Sequence, residues 1–230
     1  MEKNILFDLY GTLIDINTDE KSNTFWNDVK TNLFFDNKMT AIQLKNKYIR
    51  LCKKYSTIKE EIDILDVFDD LNDGDHLKAI SCAVKFRELS TKYIRLYDGV
   101  KELLNELKKA NYKLFVLSNA QNVFTIPELK KLGIIDSFNG IAISSDYGYK
   151  KPNKLFYKEA IKHFSIRSDA IMIGNDYECD VKPAIELSLK SIFIYSNLTP
   201  NKPDYVNKAD FIGFDSDKIF ERINELVISS

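Results

Sequence analysis

Between residues 96 and 195, amphipathic stretches alternate with short apolar runs, and this alternation constrains the fold more than any other feature. Residues 100–109 place Val100, Leu103, Leu104 and Leu107 at helical spacing. Leu114-Phe115-Val116-Leu117 is apolar at every position, as a strand covered on both faces must be. The pattern then predicts a helix over 126–132 stopped by Gly133, a strand at 141–143 and a helix over 155–164. A strand at 170–173, a helix over 181–189 and a strand at 191–195 follow. An apolar run at 3–8 (Ile5, Leu6, Phe7, ending on Asp8) supplies one more strand. Strands that alternate with helices form a parallel sheet with helices on both faces, so the fold class is α/β with a Rossmann-like parallel sheet.

A different texture separates the first strand from the rest. From about Ile16 to Arg95 proline is absent, glycine occurs once (Gly74), and apolar residues recur at helical spacing, as in Ile42, Leu44, Tyr48, Ile49 and Leu51. The expected organisation is therefore a core from residues 1–15 and 96–230, with a helical insertion over 16–95 covering the C-terminal edge of the sheet. Phe25, Trp26, Phe34 and Phe35 belong to this insertion and are expected mainly in its interior.

The bulk numbers exclude several classes. A chain of 230 residues, 44% hydrophobic, builds a substantial core. Its 33 basic and 34 acidic residues nearly cancel, which argues against nucleic acid or a membrane surface as partner. Cys52, Cys82 and Cys179 are odd in number and widely spaced, fitting thiols in a reducing compartment. No long apolar run spans a membrane and the N-terminus enters a strand directly, so a cytoplasmic protein is expected, as a monomer or homodimer.

Four strand ends carry polar residues, and in a parallel sheet those ends meet in one crevice. The first gives Asp8, Tyr10, Gly11 and Thr12; the second, Ser118 and Asn119; the third region, Lys151 before Pro152; the fourth, Asn175, Asp176 and Asp180. Singly, each has a commonplace reading: a turn former, a helix cap, a solvated lysine, an acidic helix start. Together they describe chemistry. Asp8 is placed to attack an electrophile as a nucleophilic carboxylate. Gly11 allows the tight turn, and the hydroxyls of Thr12 and Ser118 can hold phosphate oxygens. A phosphate dianion repels a carboxylate, so Lys151 and a divalent ion are needed nearby. Mg²⁺ takes oxygen ligands, for which Asp8, the Tyr10 carbonyl and Asp176 are candidates. Asp180 either joins the metal site or pairs with Lys151, and Asn175 offers an amide oxygen.

At this point the chain resembles the haloacid dehalogenase-like hydrolase superfamily, helical-cap type, across essentially its whole length. Asp8-Leu9-Tyr10-Gly11-Thr12-Leu13, Leu117-Ser118-Asn119, Lys151-Pro152 and Gly174-Asn175-Asp176-Tyr177-Glu178-Cys179-Asp180-Val181 are similar to the four family motifs. The resemblance implies a mobile cap and hydrolysis through an aspartyl-enzyme intermediate. It implies catalytic roles for Asp8, Tyr10, Thr12, Ser118 and Lys151, and substrate contacts from Gly11, Thr12, Ser118, Asn119 and Lys151. Metal contacts would come from Asp8, Tyr10, Asp176 and Asp180.

Two departures shape the expected function. Family phosphatases carry an Asp two residues after the nucleophile, where this chain has Tyr10; its 2-haloacid dehalogenases carry Tyr there, and Tyr157 also matches a position of theirs. Those dehalogenases rely on an Arg early in the cap, yet no Arg occurs before Arg50. Asp176 adds a carboxylate where they have none, which favours a metal. The leading expectation is a Mg²⁺-dependent phosphatase of small phosphorylated metabolites. The alternatives are a metal-independent haloacid dehalogenase-type hydrolase and a low-turnover protein that binds phosphate ligands.

Overall fold

A computed structural model describes residues 3–200 and 203–228 of the chain. Its elements in chain order are β1 (Lys3–Phe7), β2 (Ile14–Thr18), α1 (Asn23–Leu33), α2 (Ala41–Ser56), α3 (Ile64–Leu71), α4 (His76–Ser90) and β3 (Thr91–Leu96). There follow α5 (Val100–Lys109), β4 (Tyr112–Ser118), α6 (Asn122–Leu132), β5 (Gly140–Ile143), α7 (Ser144–Tyr147), α8 (Lys154–His163) and β6 (Ile171–Gly174). The chain continues through a π-helical turn (Tyr177–Val181) into α9 (Lys182–Glu186), β7 (Lys190–Tyr195), β8 (Phe211–Ile212) and α10 (Ser216–Ile228).

Six strands form one parallel sheet in the order β5-β4-β1-β6-β7-β8. β1 lies inside it, with Ile5 opposite both Leu114 and Ile171. Side chains alternate across a strand, and the two resulting faces bury different clusters. Ile5, Phe7, Val116 and Ile173 pack with Leu103 and Leu107 of α5 and Ile219 and Ile223 of α10. Leu6, Phe115, Leu117 and Met172 pack with Phe156, Tyr157 and Ala160 of α8. The α/β class and the parallel sheet expected from the alternation are present.

Helices α1–α4 have an apolar cluster of their own. Phe25, Trp26, Val29, Leu44, Val67, Phe68, Ala83 and Phe86 are buried together, with the Phe25 and Phe86 rings edge to face at 4.9 Å. Phe124 of α6 joins this cluster and ties it to the sheet. Phe34 is buried as well, whereas Phe35 is exposed.

The helical stretch is shorter than its texture suggested. Its two ends are strands: β2 and β3 form an antiparallel ribbon with Ile14 opposite Leu96 and Asp15 opposite Arg95. Helix α6 starts at Asn122, ahead of the expected 126, and the expected 181–189 helix is divided between the π-helical turn and α9. Helix α10 and the two-residue β8 were not anticipated. Among the described residues no helix is long and apolar enough to cross a membrane, and the three cysteines are free.

Candidate active site

The C-terminal ends of β1, β4 and β6 open into a crevice of about 150 Å³ lined by Asp8, Ser118, Lys151, Asn175, Asp176 and Asp180. The turn after β1 fixes the first of these. The Asp8 N–H donates to the Ile173 carbonyl (2.8 Å), so the residue still belongs to the sheet while its carboxylate emerges beyond it. Gly11 closes the turn at φ +88°, and a Cβ there would lie 2.1 Å from Asn175 Nδ2. Only glycine meets both demands.

Lys151 is the centre of charge. Its Nζ, 2% exposed, donates to Asp8 Oδ1 at 2.7 Å and to Asp180 Oδ1 at 2.6 Å. The other Asp180 oxygen accepts the Asp176 N–H (2.9 Å), and a side chain at Gly174 would collide with it. Burial pushes the Asp180 carboxyl up to about 7 while Lys151 pulls against that rise. The two carboxylates hold the Lys151 ammonium well above its ordinary range despite its burial. Thr12 donates its hydroxyl to Asp8 Oδ2 (3.1 Å), so both Asp8 oxygens are oriented.

The backbone that carries Lys151 is clamped by Asn119. The Asn119 Nδ2 donates to the Lys151 carbonyl (2.8 Å) and its Oδ1 accepts the Lys151 N–H (2.7 Å). That spends both ends of the side-chain amide on the protein. Tyr157 acts likewise on the fourth motif, donating its hydroxyl to the Cys179 carbonyl at 2.5 Å. The Ser118 hydroxyl is different. Among the described residues it is the one buried side-chain polar atom with no hydrogen-bond partner. An unmet buried hydroxyl costs about 1–3 kcal/mol, and at the crevice wall it is available to a ligand.

Asn175 and Asp176 point in different directions. Asp176 Oδ1 accepts the Glu178 and Cys179 N–H groups (3.0 and 3.1 Å) and so caps the π-helical turn. The Asn175 amide faces Asp8. Its end group lies 3.2 Å from both Asp8 Oδ2 and the Tyr10 carbonyl, a hydrogen-bonding arrangement when that group is the amide nitrogen. With the amide turned the other way, its oxygen accepts the Thr12 hydroxyl at 3.3 Å and three oxygens converge. That is the kind of donor set a hard divalent cation takes. Among the described residues, no group of three His, Cys, Asp or Glu side chains is gathered as a metal site.

Tyr10 borders the crevice but commits its hydroxyl to α6. Its hydroxyl donates to Glu128 Oε2 (2.5 Å) and lies 3.0 Å from Thr125 Oγ1, both on α6. Arg87 of α4 completes the group, with Nε 2.7 Å from Glu128 Oε1 and its guanidinium 5.8 Å from the Tyr10 ring. Burial and the Glu128 charge push the Tyr10 phenol far above its ordinary value. Sequence reasoning missed Glu128, Thr125 and Arg87; no spacing marks them, and Arg87 sits among Lys85 and Glu88 like an ordinary solvent-facing charge. Gln121, also missed, joins α6 to the segment before α3: its Nε2 donates to Glu61 Oε1 and its Oε1 accepts the Ile64 N–H.

With the sheet, the strand-end crevice and the four motifs in place, the class is defined. Residues 5–194 match the haloacid dehalogenase-like hydrolase family, and the chain belongs to that family. A glyceraldehyde 3-phosphate phosphatase of Methanothermobacter thermautotrophicus is 26% identical over 126 residues, 54% of this chain and 56% of that one. A phosphoglycolate phosphatase of Nitrosococcus oceani is 36% identical over 100 residues, 43% of this chain and 44% of that one. The chain thus spans about half the length of these two relatives. The crystal structure of a 2-haloacid dehalogenase from Pseudomonas syringae superposes with a TM-score of 0.66 at 21% identity, covering 98% of this chain and 99% of that one, which shows the shared fold.

Proposed function

We propose that the chain is a phosphatase of small phosphorylated metabolites that works through an aspartyl-phosphate. The observation that carries this reading is the pairing of an oriented Asp8 carboxylate with the unpartnered Ser118 hydroxyl across one small crevice. Asp8 attacks phosphorus, a bond forms between its oxygen and phosphorus, and the bond to the leaving oxygen breaks. Ser118 holds a non-bridging oxygen, Thr12, fully buried, keeps its hydroxyl on Asp8 and so orients it rather than the phosphate, and Lys151 offsets charge while fixing Asp8 in line. Water then attacks phosphorus, releasing phosphate and restoring Asp8. Relatives named as phosphatases of small phosphorylated compounds support the substrate class.

The crevice as built carries more negative than positive charge, since Lys151 faces both Asp8 and Asp180. An anionic substrate therefore needs a further cation. Asp8, the Tyr10 carbonyl and the Asn175 amide oxygen would hold Mg²⁺, with Asp176 at the rim and Asp180 kept for Lys151. Bound there, Mg²⁺ would supply the positive charge that lets phosphate approach a carboxylate. The helices between residues 16 and 95 would act as a cap, closing over the organic part of the substrate. Tyr10 is spent on Glu128 and its phenol is not free to protonate the leaving group, so aryl or acyl phosphates should turn over faster than alkyl ones. A dehalogenase would need an unpaired cation for halide; Arg50 is exposed on α2 and Arg87 is bound to Glu128.

The test is phosphate release from a panel of phosphorylated metabolites and p-nitrophenyl phosphate, with Mg²⁺ and with EDTA, for the unmodified protein and Asp8→Asn. Metal-dependent release lost in Asp8→Asn is expected. Release that survives the substitution removes Asp8 as nucleophile, and release that survives EDTA removes the metal.

A further inference from the structure

Beside the crevice lies a second cavity of about 280 Å³ that shares Tyr10 and Asn119 with it. It runs between α1–α4 and α6, where the organic part of a crevice-bound phosphate ester would extend. Its size is near the lower end for ligand cavities, which run from about 300 to 1,000 Å³, so it suits a short chain. Two charged side chains line it, Glu20 and Arg87.

Arg87 would ordinarily select a carboxylate, but its charge is already committed. Its Nε is 2.7 Å from Glu128 Oε1, and its nearer terminal nitrogen is 3.9 Å from Glu20 Oε1. Glu128 is itself nearly buried and also accepts the Tyr10 hydroxyl. One guanidinium thus serves two carboxylates, so the Glu20–Arg87–Glu128 cluster, of which Glu20 and Arg87 face the cavity, carries net negative charge. Among the described residues the Glu20 carboxylate has this long ion pair and no hydrogen-bond donor, which leaves its oxygens able to accept from a ligand. The rim adds no free cation among the described residues: Lys150 is paired with Glu61 at 3.2 Å, and Asp63 stands next to Ile64 of the lining.

We propose that this cavity receives the organic part of the phosphorylated substrate, that this part carries hydroxyl donors and no carboxylate, and that Glu20 sets the choice. The proposal rests on the phosphatase reading for the placement of the phosphate. A ligand carboxylate about 6 Å from Glu20, at an effective dielectric of roughly 20–40, is disfavoured about tenfold or more. A hydroxyl at the same place donates to Glu20 and meets no such repulsion.

The experiment compares sn-glycerol 3-phosphate with 3-phosphoglycerate, which share a three-carbon skeleton and differ in a terminal hydroxymethyl against a carboxylate. Binding of each is measured by calorimetry with Mg²⁺ at pH 7.5 on Asp8→Asn, on Asp8→Asn with Glu20→Gln, and on Asp8→Asn with the exposed Glu221→Gln as a charge control. Inhibition by each compound of p-nitrophenyl phosphate turnover gives the same ordering in the otherwise unchanged protein. Glycerol 3-phosphate is expected to bind about tenfold tighter, with Glu20→Gln bringing the two affinities to within about twofold through tighter 3-phosphoglycerate binding, and Glu221→Gln leaving the ratio in place. Equal affinities, failure of glycerol 3-phosphate to bind, or a preference that Glu20→Gln does not move would overturn the proposal. Because binding is read without turnover, a protein that shows the preference yet releases no phosphate sinks only the phosphatase reading. One that releases phosphate with no preference sinks only this inference.

Discussion

Replacing Lys151 with methionine isolates the charge problem at the centre of the crevice. A single nitrogen touches Asp8 Oδ1 at 2.7 Å and Asp180 Oδ1 at 2.6 Å, so those two oxygens lie within about 5 Å of each other. Both carboxylates are largely withdrawn from solvent, Asp8 at 8% exposed and Asp180 at 0%. At an effective dielectric of about 20, two like charges about 5 Å apart repel by about 3 kcal/mol. Removing one member of a buried ion pair costs about 3–5 kcal/mol in general, in agreement with that figure. The expected loss for Lys151→Met is therefore about 3–5 kcal/mol at pH 7.5 in EDTA. The pH dependence has a definite sign. Burial and a like-charged neighbour raise a carboxyl in the folded state above its unfolded value, so the native form binds more protons than the unfolded form in the window between them. Stability then falls as pH rises through that window, which for Asp180 runs from an ordinary carboxyl value of 3.8 to about 7 with Lys151 present and reaches higher without it. Lowering the pH to 5 should recover much of the loss, and so should adding Asp180→Asn. Urea unfolding of the single and double variants at both pH values, with unchanged m-values, measures this directly. A loss that is equal at pH 7.5 and 5, and that Asp180→Asn fails to relieve, would refute the reasoning.

Three further expectations address neighbouring residues. Ser118→Ala should raise stability by about 1 kcal/mol, since an unmet buried hydroxyl disappears, while phosphate release falls; a less stable variant in urea would show that the hydroxyl has a partner. Gly11→Ala should cost about 2 kcal/mol or more from its positive φ and the collision with Asn175, against about 1 kcal/mol for Gly74→Ala, which shares the φ but meets nothing within 4 Å. Equal losses in thermal or urea unfolding would remove the Asn175 contact from the account. Tyr10→Phe should leave the ratio of alkyl to aryl phosphate turnover unchanged, because the hydroxyl serves Glu128; a selective loss on alkyl phosphates would show that Tyr10 protonates the leaving group.

The sheet was legible because its inner strands are covered on both faces and read as unbroken apolar runs. The β2–β3 ribbon was not. Ile14-Asp15-Ile16-Asn17-Thr18 is short and half exposed, and its pairing with residues 91–96 is set by tertiary contact. Helix α10 carries a clear apolar side through Ile219 and Ile223, but it lies beyond the last motif and drew no reading. The residue types of the crevice were legible from their order at strand ends. Their orientations were not: whether Asn175 or Asp176 faces Asp8 depends on the backbone of one π-helical turn, and Asp176 is spent there as a cap. The partners of Tyr10 were out of reach altogether, since Glu128 and Arg87 arrive from distant helices with no local pattern to announce them.

The ribbon has a consequence for how such a chain tolerates change. Ile14 and Leu96 are opposite rungs of one ladder, so the polypeptide departs toward α1 and comes back from α4 at the same spot. The ends of everything between are already held together, and lengthening, trimming or replacing that segment adds only a slowly growing loop-closure term. Helices there can be exchanged for others while β1 and its Asp8 stay in place, provided the contacts of Arg87 and Glu61 with α6 are replaced, which offers one carboxylate a route to many different molecular cargoes.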